Sequence, residues 1–308
     1  MGKATREAYG EALAKLIVED EKIVVLDADL TGSTKTADAK KACPERHFNI
    51  GIAECNMTGI AAGFASSGYT VFASTFAMFA AGRAWEQVRN SIAYPNLNVK
   101  ICGTHAGIAV GEDGVSHQAI EDIAIMRVIP GMEVYSPCDE AETKAVINHV
   151  AKTKNPCYVR LGRSKVDDVY SLDEEFDFTK VKVVTKGEKV AIFATGLMVQ
   201  EAVKAAKALE EEGIKVTVVD VCCIKPIDEK GVLEILKSHD YIITAEEHNV
   251  IGGLGSAIAE VSVKSCPKNI KMIGIYDRYA ESGPFNELLV KYELDANSIA
   301  KEVKELVK

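Results

Sequence analysis

Short apolar runs rich in β-branched residues alternate with helix-length segments along two stretches of this chain. In the first stretch, the runs IVVLDADL (23–30), YTVFAST (69–75) and NVKICGT (98–104) have the composition of strands. A second series begins with VAIFATG (190–196) and continues with IKVTVVDV (214–221). Strands that alternate with helices predict parallel βαβ units, and such units collect ligand-binding residues at the carboxyl ends of their strands.

The length of 308 residues exceeds what one hydrophobic core usually organises, so two domains are expected. Between the two series, residues 166–186 are acidic and lose the periodic pattern, which is typical of a linker. We therefore predict two α/β domains with mainly parallel sheets, one over residues 1–165 and the other over residues 187–308.

The charge and cysteine content narrow the class of protein. With 36 basic and 45 acidic residues the net charge is −9, which argues against nucleic acid as a partner. The eight cysteines form no CxxC pair, so they are interpreted as reduced thiols of a cytoplasmic protein. The N-terminus lacks the apolar core of a signal peptide, and glycine, serine and threonine interrupt the longest uncharged run. Neither export nor a membrane span is expected.

Glu54, in the segment GIAE, stands at the edge of that uncharged run, which extends from Cys55 to Gly82 although 26% of the chain is charged. A carboxylate at a helix N-terminus can simply be stabilised by the helix dipole. In dry surroundings a carboxyl group can instead share a proton with a basic ligand atom. Cys55, beside it, is interpreted as a small buried thiol.

A polar loop, THAGIAVGEDGVSHQ (104–118), follows the third strand and holds His105, Asp113 and His117. A solvated turn is the alternative to a binding site, and the spacing of the histidines does not match a zinc site. Two neutral imidazoles and a carboxylate suit a polyhydroxylated or carbonyl substrate, such as a sugar. Phe76 and Phe79 are three residues apart, so we expect them to share a helix face or turn, either in the core or as a platform for a flat ring.

Taken together, these segments resemble the C-terminal half of a transketolase, over nearly the whole chain. The matching segments are GIAE, STFAMF, THAG and GEDGVSHQ, in the order of that family. The resemblance implies thiamine diphosphate as cofactor, with Glu54 on the pyrimidine ring nitrogen, Phe79 stacked on the ring and Phe76 beside it. It also implies that His105 and His117 bind substrate and assist proton transfers, and that Asp113 contacts a substrate hydroxyl.

The same resemblance assigns the phosphate end of a sugar substrate to Arg6 and Ser33, which match an early arginine and the serine of a SADLTPS segment. One departure concerns the family segment RPAD, which here is SPCD, so Ser136 stands where a second phosphate-binding arginine is expected. Weaker phosphate selection or a different ketose follows as a possibility.

The family's GDG motif, which holds the diphosphate through Mg²⁺, does not occur in this sequence. The resemblance therefore implies one subunit of a split transketolase, with no metal ligands of its own and with the Mg²⁺ ligands on an N-terminal partner subunit. It implies an α2β2 assembly, a second domain that mainly supports oligomerisation, and transfer of a two-carbon ketol unit from a ketose phosphate to an aldose phosphate in the pentose phosphate pathway.

Three alternatives remain open from the sequence. The C-terminal half of deoxyxylulose-phosphate synthase has DRAG and GADGPTHQ where this chain has THAG and GEDGVSHQ, and the β subunit of 2-oxo-acid dehydrogenases lacks the GEDG segment. A non-catalytic scaffold paralogue would share the fold without the activity.

Overall fold

The computed structural model describes residues 2–308, and these form twelve strands in two sheets. The strands are β1 (Ile23–Asp27), β2 (His47–Asn49), β3 (Thr70–Phe76), β4 (Val99–Thr104), β5 (Glu133–Tyr135), β6 (Cys157–Arg160), β7 (Lys182–Thr185), β8 (Val190–Ala194), β9 (Val216–Asp220), β10 (Cys223–Lys225), β11 (Tyr241–Asn249) and β12 (Ile270–Ile275). The first sheet has the order β10-β5-β6-β4-β3-β1-β2 and the second has the order β12-β11-β8-β9-β7.

Helices connect these strands, as the alternating pattern predicts. They are α1 (Thr5–Glu19), α2 (Thr31–Thr34), α3 (Thr36–Ala42), α4 (Glu54–Ser66), α5 (Trp85–Gln87), α6 (Asp122–Arg127), α7 (Glu140–Lys152), α8 (Leu197–Glu211), α9 (Glu229–Ser238), α10 (Leu254–Ser265), α11 (Phe285–Lys291) and α12 (Ala296–Leu306). Within residues 2–308, none of these helices combines the length and the apolar character needed to cross a bilayer.

Both sheets are mainly parallel, which confirms the predicted fold class. Only the edge pairings β10–β5 and β7–β9 are antiparallel. Strand β7 lies inside the segment 166–186 that the sequence predicts as a linker, and strand β10, from the second half of the chain, joins the first sheet. Both are short edge strands, and such strands carry too little periodicity to be found in a sequence.

The strands at the centre of the first sheet are buried on both faces, which explains their unbroken apolar character. Every residue of β1 and of β3 is buried. The small residues Ala61, Ala62 and Ala65 of α4 pack on this sheet and let the helix approach it closely. Burial of each large aliphatic side chain, such as Val24 or Leu26, stabilises the domain by about 1.5–3 kcal/mol.

The segment after β3 is an irregular helical segment instead of a regular α-helix. Phe76 is the last residue of β3, and π-helical turns at Met78–Arg83 and Val88–Ala93 flank the short helix α5. Phe76 and Phe79 therefore do not share a helix face; they lie on either side of a strand-to-helix junction. The small residues at 80–82 leave room for the wider turn, and π turns are frequent at functional sites.

The glycine-rich segment 252–255 begins α10 and is a close packing site, not a phosphate loop. Backbone N–H groups of Leu254 and Gly255 donate to the carboxylate of Glu246, at 2.7 and 2.8 Å. A Cβ atom on Gly255 would lie 2.9 Å from Thr244 Oγ1. The helix N-terminus is thus already bound to a carboxylate of the same chain.

A buried cluster of Cys138, Glu142 and Asp220 joins the two domains and brings three potential metal ligands together. Tyr170 donates to Asp220 Oδ2 at 2.8 Å, and the backbone N–H of Cys138 donates to Glu142 Oε2 at 2.8 Å. Burial raises the pKa of Asp220 to about 6 and raises the pKa of Glu142 above its usual range. The raised pKa values favour protonated, uncharged carboxyl groups in this buried cluster.

Candidate active site

The polar segments that follow β1, β3, β4 and β6 meet at one edge of the first sheet. Ser33, Phe76, His105 and Arg163 all lie at or just beyond the carboxyl ends of these strands. Parallel α/β sheets bind their ligands at this edge. These residues therefore share one edge of the first domain.

Glu54 is the first residue of α4 and is only 2% exposed. Arg83 Nη1 donates to its Oε2 at 2.9 Å, and the Arg83 guanidinium lies 4.5 Å from the centre of the Phe79 ring. The two charged residues that bracket the uncharged run, Glu54 and Arg83, therefore pair with each other. We did not predict the role of Arg83, although its position as the first charge after the run was a usable signal.

Two phenylalanine and two histidine rings form one cluster beside this ion pair. The rings of Phe76 and Phe79 are 6.0 Å apart and inclined by 18°. The His105 ring lies 4.0 Å from that of Phe76, and the His117 ring lies 5.3 Å from that of Phe79. The structure thus brings together four of the residues predicted for the cofactor and the substrate.

His105 has a defined tautomer because of its two neighbours. Arg6 Nη1 lies 3.4 Å from Nε2, and an arginine can only donate, so Nε2 accepts and the ring proton is on Nδ1. Nδ1 then donates to Thr104 Oγ1 at 2.9 Å. Burial, and then the positive charges of Arg6 and Arg163, lower the pKa of His105 to about 3. His105 is therefore a neutral hydrogen-bonding group at physiological pH.

This assignment predicts the NMR behaviour of His105. We expect the ¹⁵N shifts of its imidazole to report the neutral ring, protonated on Nδ1, from pH 8 down to pH 5. An ordinary histidine titrates near pH 6.5, so His105 should be distinguishable from an exposed ring over this range. Substitution His105→Gln identifies its signals, and titration of those signals near pH 6.5 would contradict the assignment.

Arg6 links α1 to the segment that follows β1. Its Nη1 donates to the carbonyl oxygen of Ser33 at 2.8 Å, and its Nε donates to the carbonyl oxygen of Arg163 at 3.3 Å. Burial lowers the pKa of Arg6 from its usual value. The sequence did not lead us to predict Arg163, although it lies three residues after the end of β6. It pairs with Glu112 at 3.3 Å and also donates to the carbonyl oxygen of Val110. Arg6 and Arg163 give this edge two guanidinium groups.

Other predicted residues lie at or near this edge with fewer contacts. Asp113 is exposed at the end of the turn Ile108–Asp113, and within residues 2–308 no hydrogen bond of its side chain is recorded. His117 is half-buried, with Nδ1 2.9 Å from Ser116 Oγ. Cys55 is exposed, so its interpretation as a buried thiol was wrong. It lies in the first turn of α4, and its Sγ is 3.5 Å from the carbonyl oxygen of Arg83.

Ser136, the departure from the family pattern, is buried between the two domains. It is 1% exposed, and a Cβ atom on Gly196 would lie 2.7 Å from Ser136 Oγ. An arginine side chain would need these segments to separate. A serine here is consistent with the packing of this chain.

The residues fit the pyrimidine half of thiamine diphosphate. An acidic side chain, Glu54, lies beside an aromatic ring, Phe79, and the two are bridged by one guanidinium. A flat ring can stack on Phe79 with a nitrogen at Glu54 only if Arg83 moves off that face. The Arg83 side chain is 49% exposed, and within residues 2–308 it hydrogen-bonds only with Glu54, so such a movement would break that bond and the contact with Phe79 alone.

Two family models match the chain in sequence. Residues 1–168 match the transketolase pyrimidine-binding domain, and residues 179–299 match the transketolase C-terminal domain. A solved structure described as a split gene transketolase in an inactive beta4 tetramer is 51% identical, with a TM-score of 0.90 over 99% of this chain and 98% of that chain.

Some relatives that are similar to this chain have about the same length, and others are about twice as long. A protein of Methanocaldococcus jannaschii named as a transketolase C-terminal section is 52% identical over 99% of this chain and 97% of its own length. A 6-deoxy-6-sulfo-D-fructose transketolase subunit of a Clostridium species is 38% identical over 98% of this chain and 94% of its own length. Transketolase of Homo sapiens is 37% identical over 99% of this chain, which spans 49% of that enzyme. The chain therefore belongs to the transketolase family and is the C-terminal section of a transketolase.

Proposed function

We propose that this chain supplies the pyrimidine and substrate half of a thiamine diphosphate site, and that a second chain completes it. The assembled enzyme would transfer a two-carbon ketol unit from a ketose phosphate to an aldose phosphate. The observation that carries this proposal is a connected row of side chains along one sheet edge, in the order Glu54, Arg83, Phe79, Phe76, His105 and Arg6.

The residues of this chain divide into a cofactor end and a substrate end. When bound, thiamine diphosphate supplies the activated carbon that takes up the two-carbon unit. Glu54 would hold a proton at the pyrimidine ring nitrogen, and Phe79, with Phe76 behind it, would provide the face on which that ring stacks. His105 and His117 would hydrogen-bond substrate oxygens, and as a neutral ring His105 can orient a hydroxyl group or a carbonyl group.

The phosphate group of the sugar would bind at the opposite end of the row. Arg6 offers a partly buried guanidinium, and Ser33 lies next to it through a backbone contact of 2.8 Å. Asp113, exposed at the rim, would contact a substrate hydroxyl. Arg163, 3.3 Å from Glu112, is a further cation within this end of the site and would offset the absence of an arginine at position 136.

A partner subunit would provide the diphosphate site and its Mg²⁺ ligands. The sequence contains no GDG segment, and it spans half of a single-chain transketolase. The rim of the site also exposes apolar surface: Ile52, two residues before Glu54, is 76% exposed. The similar split gene transketolase was described as inactive in its beta4 form, which supports a need for the other subunit. An α2β2 assembly would place such a partner over this rim.

The cellular setting is part of the same proposal. All eight cysteines are free, which is typical of a protein in a reducing cytoplasm. There the enzyme would serve the pentose phosphate pathway by exchanging two-carbon units among sugar phosphates.

The proposal is tested by gentle purification of the tagged chain from the organism that makes it, with mass spectrometry of bound chains and cofactor. We expect a stoichiometric partner that carries a GDG segment, together with thiamine diphosphate. Recovery of this chain alone, in a form unable to bind the cofactor with Mg²⁺, would favour a scaffold role and contradict the proposal. A Glu54→Gln chain purified in parallel should keep the partner and bind less cofactor.

A further inference from the structure

The second domain contacts the polar loop of the first domain through one buried carboxylate. Glu247, in β11, is 4% exposed, and its Oε1 accepts the backbone N–H of Ala109 at 2.6 Å. Gly107 lies against the same carboxyl group: a Cβ atom there would be 2.3 Å from Glu247 Cδ, and the φ of Gly107 is +74°. Only glycine combines this φ with so close an approach.

Arg160, at the end of β6, fixes Glu247 from the other side. Its Nε donates to Asp122 Oδ2 at 2.9 Å, its Nη2 donates to the carbonyl oxygen of Glu247 at 2.9 Å, and its Nη1 is 3.9 Å from Glu247 Oε2. Tyr158 also donates to Asp122 Oδ2, at 2.7 Å. Within residues 2–308, Arg160 and Asp122 are thus the charged groups that act on Glu247, and both are buried, as is Tyr158 behind Asp122.

Further contacts from the second domain support the rest of the loop. Gln118 Nε2 donates to the carbonyl oxygen of Glu281 at 3.1 Å, and a Cβ atom on Gly114 would collide with Ser282 Oγ. These contacts are made by the residues that directly follow Asp113 and His117. The shape of the loop that begins at His105 therefore depends on residues that are remote in sequence and belong to the other domain.

We propose that Glu247 is a positioning residue for substrate binding, and that through it the second domain sets the shape of the polar loop. This inference rests on the proposed function, because it assigns that loop to the substrate. It also adds to the role expected for the second domain, which the family resemblance implies mainly as a support for oligomerisation.

The contact between Glu247 and the loop should depend on pH, because the carboxyl group of Glu247 can ionise. Burial raises its pKa to about 7, although Arg160 opposes the shift. Above pH 7 the group is a carboxylate and accepts the N–H of Ala109 more strongly than the carboxylic acid does below pH 7. Burial of Glu247 raises its pKa, but the hydrogen bond from the loop lowers it, so the loop contact favours the carboxylate. The loop should therefore be held more tightly as the pH rises from 6 to 8, although the burial of Glu247 makes the opposite contribution to global stability.

The test is hydrogen exchange of the loop in the whole chain, compared at pH 6, 7 and 8 as protection factors. In the native protein we expect protection of residues 107–113 to increase with pH. In Glu247→Ala, exchange of these residues should be at least about tenfold faster. In Glu247→Gln, which keeps an acceptor oxygen but no charge, protection should be intermediate and independent of pH. If Glu247→Ala does not fold, the pH dependence of loop protection in the native protein and its absence in Glu247→Gln still test the inference.

Glu246→Gln is the matched control, because Glu246 is a neighbouring buried glutamate that binds the start of α10 instead of the loop. It should leave the exchange of residues 107–113 unchanged. Equal loop protection in the native protein, Glu247→Gln and Glu247→Ala would overturn the inference. With the partner subunit, Glu247→Gln should raise KM for the donor sugar about tenfold, with a smaller change in kcat, and should lose the native pH dependence. No ketol transfer by the native complex would instead defeat the proposed function, while the exchange result would still decide the role of Glu247.

Discussion

Substitution Glu54→Gln should lower kcat for ketol transfer by about 10²-fold or more, while the chain still assembles with its partner. A glutamine has the same shape but cannot hold a proton for a ring nitrogen, and proton positioning of this kind contributes about 10²–10⁴-fold. Arg83 would lose its partner, but its side chain is half exposed, so the cost to stability should be below about 1 kcal/mol. Steady-state kinetics of the reconstituted complex, with excess thiamine diphosphate, measure the effect.

Glu19→Gln makes the same chemical change at the exposed end of α1, where the carboxylate lies 3.7 Å from Lys15. It should leave kcat unchanged and so controls for the loss of a charge. If Glu54→Gln retained native turnover at saturating cofactor, Glu54 would have no proton role. A loss of assembly as well as turnover would mean that Glu54 is structural.

Substitution Arg160→Met should destabilise the protein by about 3–5 kcal/mol, because it leaves Asp122 and Glu247 buried without their counter-charge. The sign of its pH dependence follows from Glu247. Its pKa is raised in the folded chain, so stability is highest when the group is protonated and falls as the pH rises toward that pKa. Without Arg160 the pKa should rise further, and the deficit should be larger at pH 8 than at pH 6.

Urea unfolding at these two pH values, followed by fluorescence, measures this prediction. Trp85 is the only tryptophan, and its Nε1 donates to the carbonyl oxygen of Ile125 in α6, so the signal reports on the part of the first domain that holds Asp122. Lys144→Met removes a surface cation that pairs with Glu11 and Glu140, and should cost less than about 1 kcal/mol. If Arg160→Met lowered the free energy of unfolding no more than Lys144→Met does, the buried carboxyl groups of Asp122 and Glu247 would not depend on the charge of Arg160.

The sequence predicts the parallel sheets and the sheet edge of the site well, because buried parallel strands leave strong local patterns. The segment before Glu54 and the loop from His105 to His117 also carry recognisable local motifs. The sequence does not reveal which residues from distant segments contact each other. The Glu54–Arg83 pair joins residues 29 apart, and the bond between Ala109 and Glu247 joins residues 138 apart and in different domains.

Two further differences have local physical causes. Phe76 extends β3 and is followed by a π turn, so a spacing of three residues did not place its ring on a helix face with Phe79. Strand β10 pairs with β5 across the domain boundary, and a three-residue strand has no pattern that could reveal its partner. The contacts between the second domain and the polar loop could not be predicted from the sequence either, because they join residues that are far apart in the chain.

The central claim is that this chain holds half of a shared active site. The most direct measurement is ketol transfer between a ketose phosphate and an aldose phosphate, with thiamine diphosphate and Mg²⁺ present, as the N-terminal subunit is titrated into a fixed amount of this chain. We predict no transfer by either chain alone and a rate that rises until the two chains are equimolar. Full transfer by this chain alone, or none in the saturated mixture, would contradict the claim.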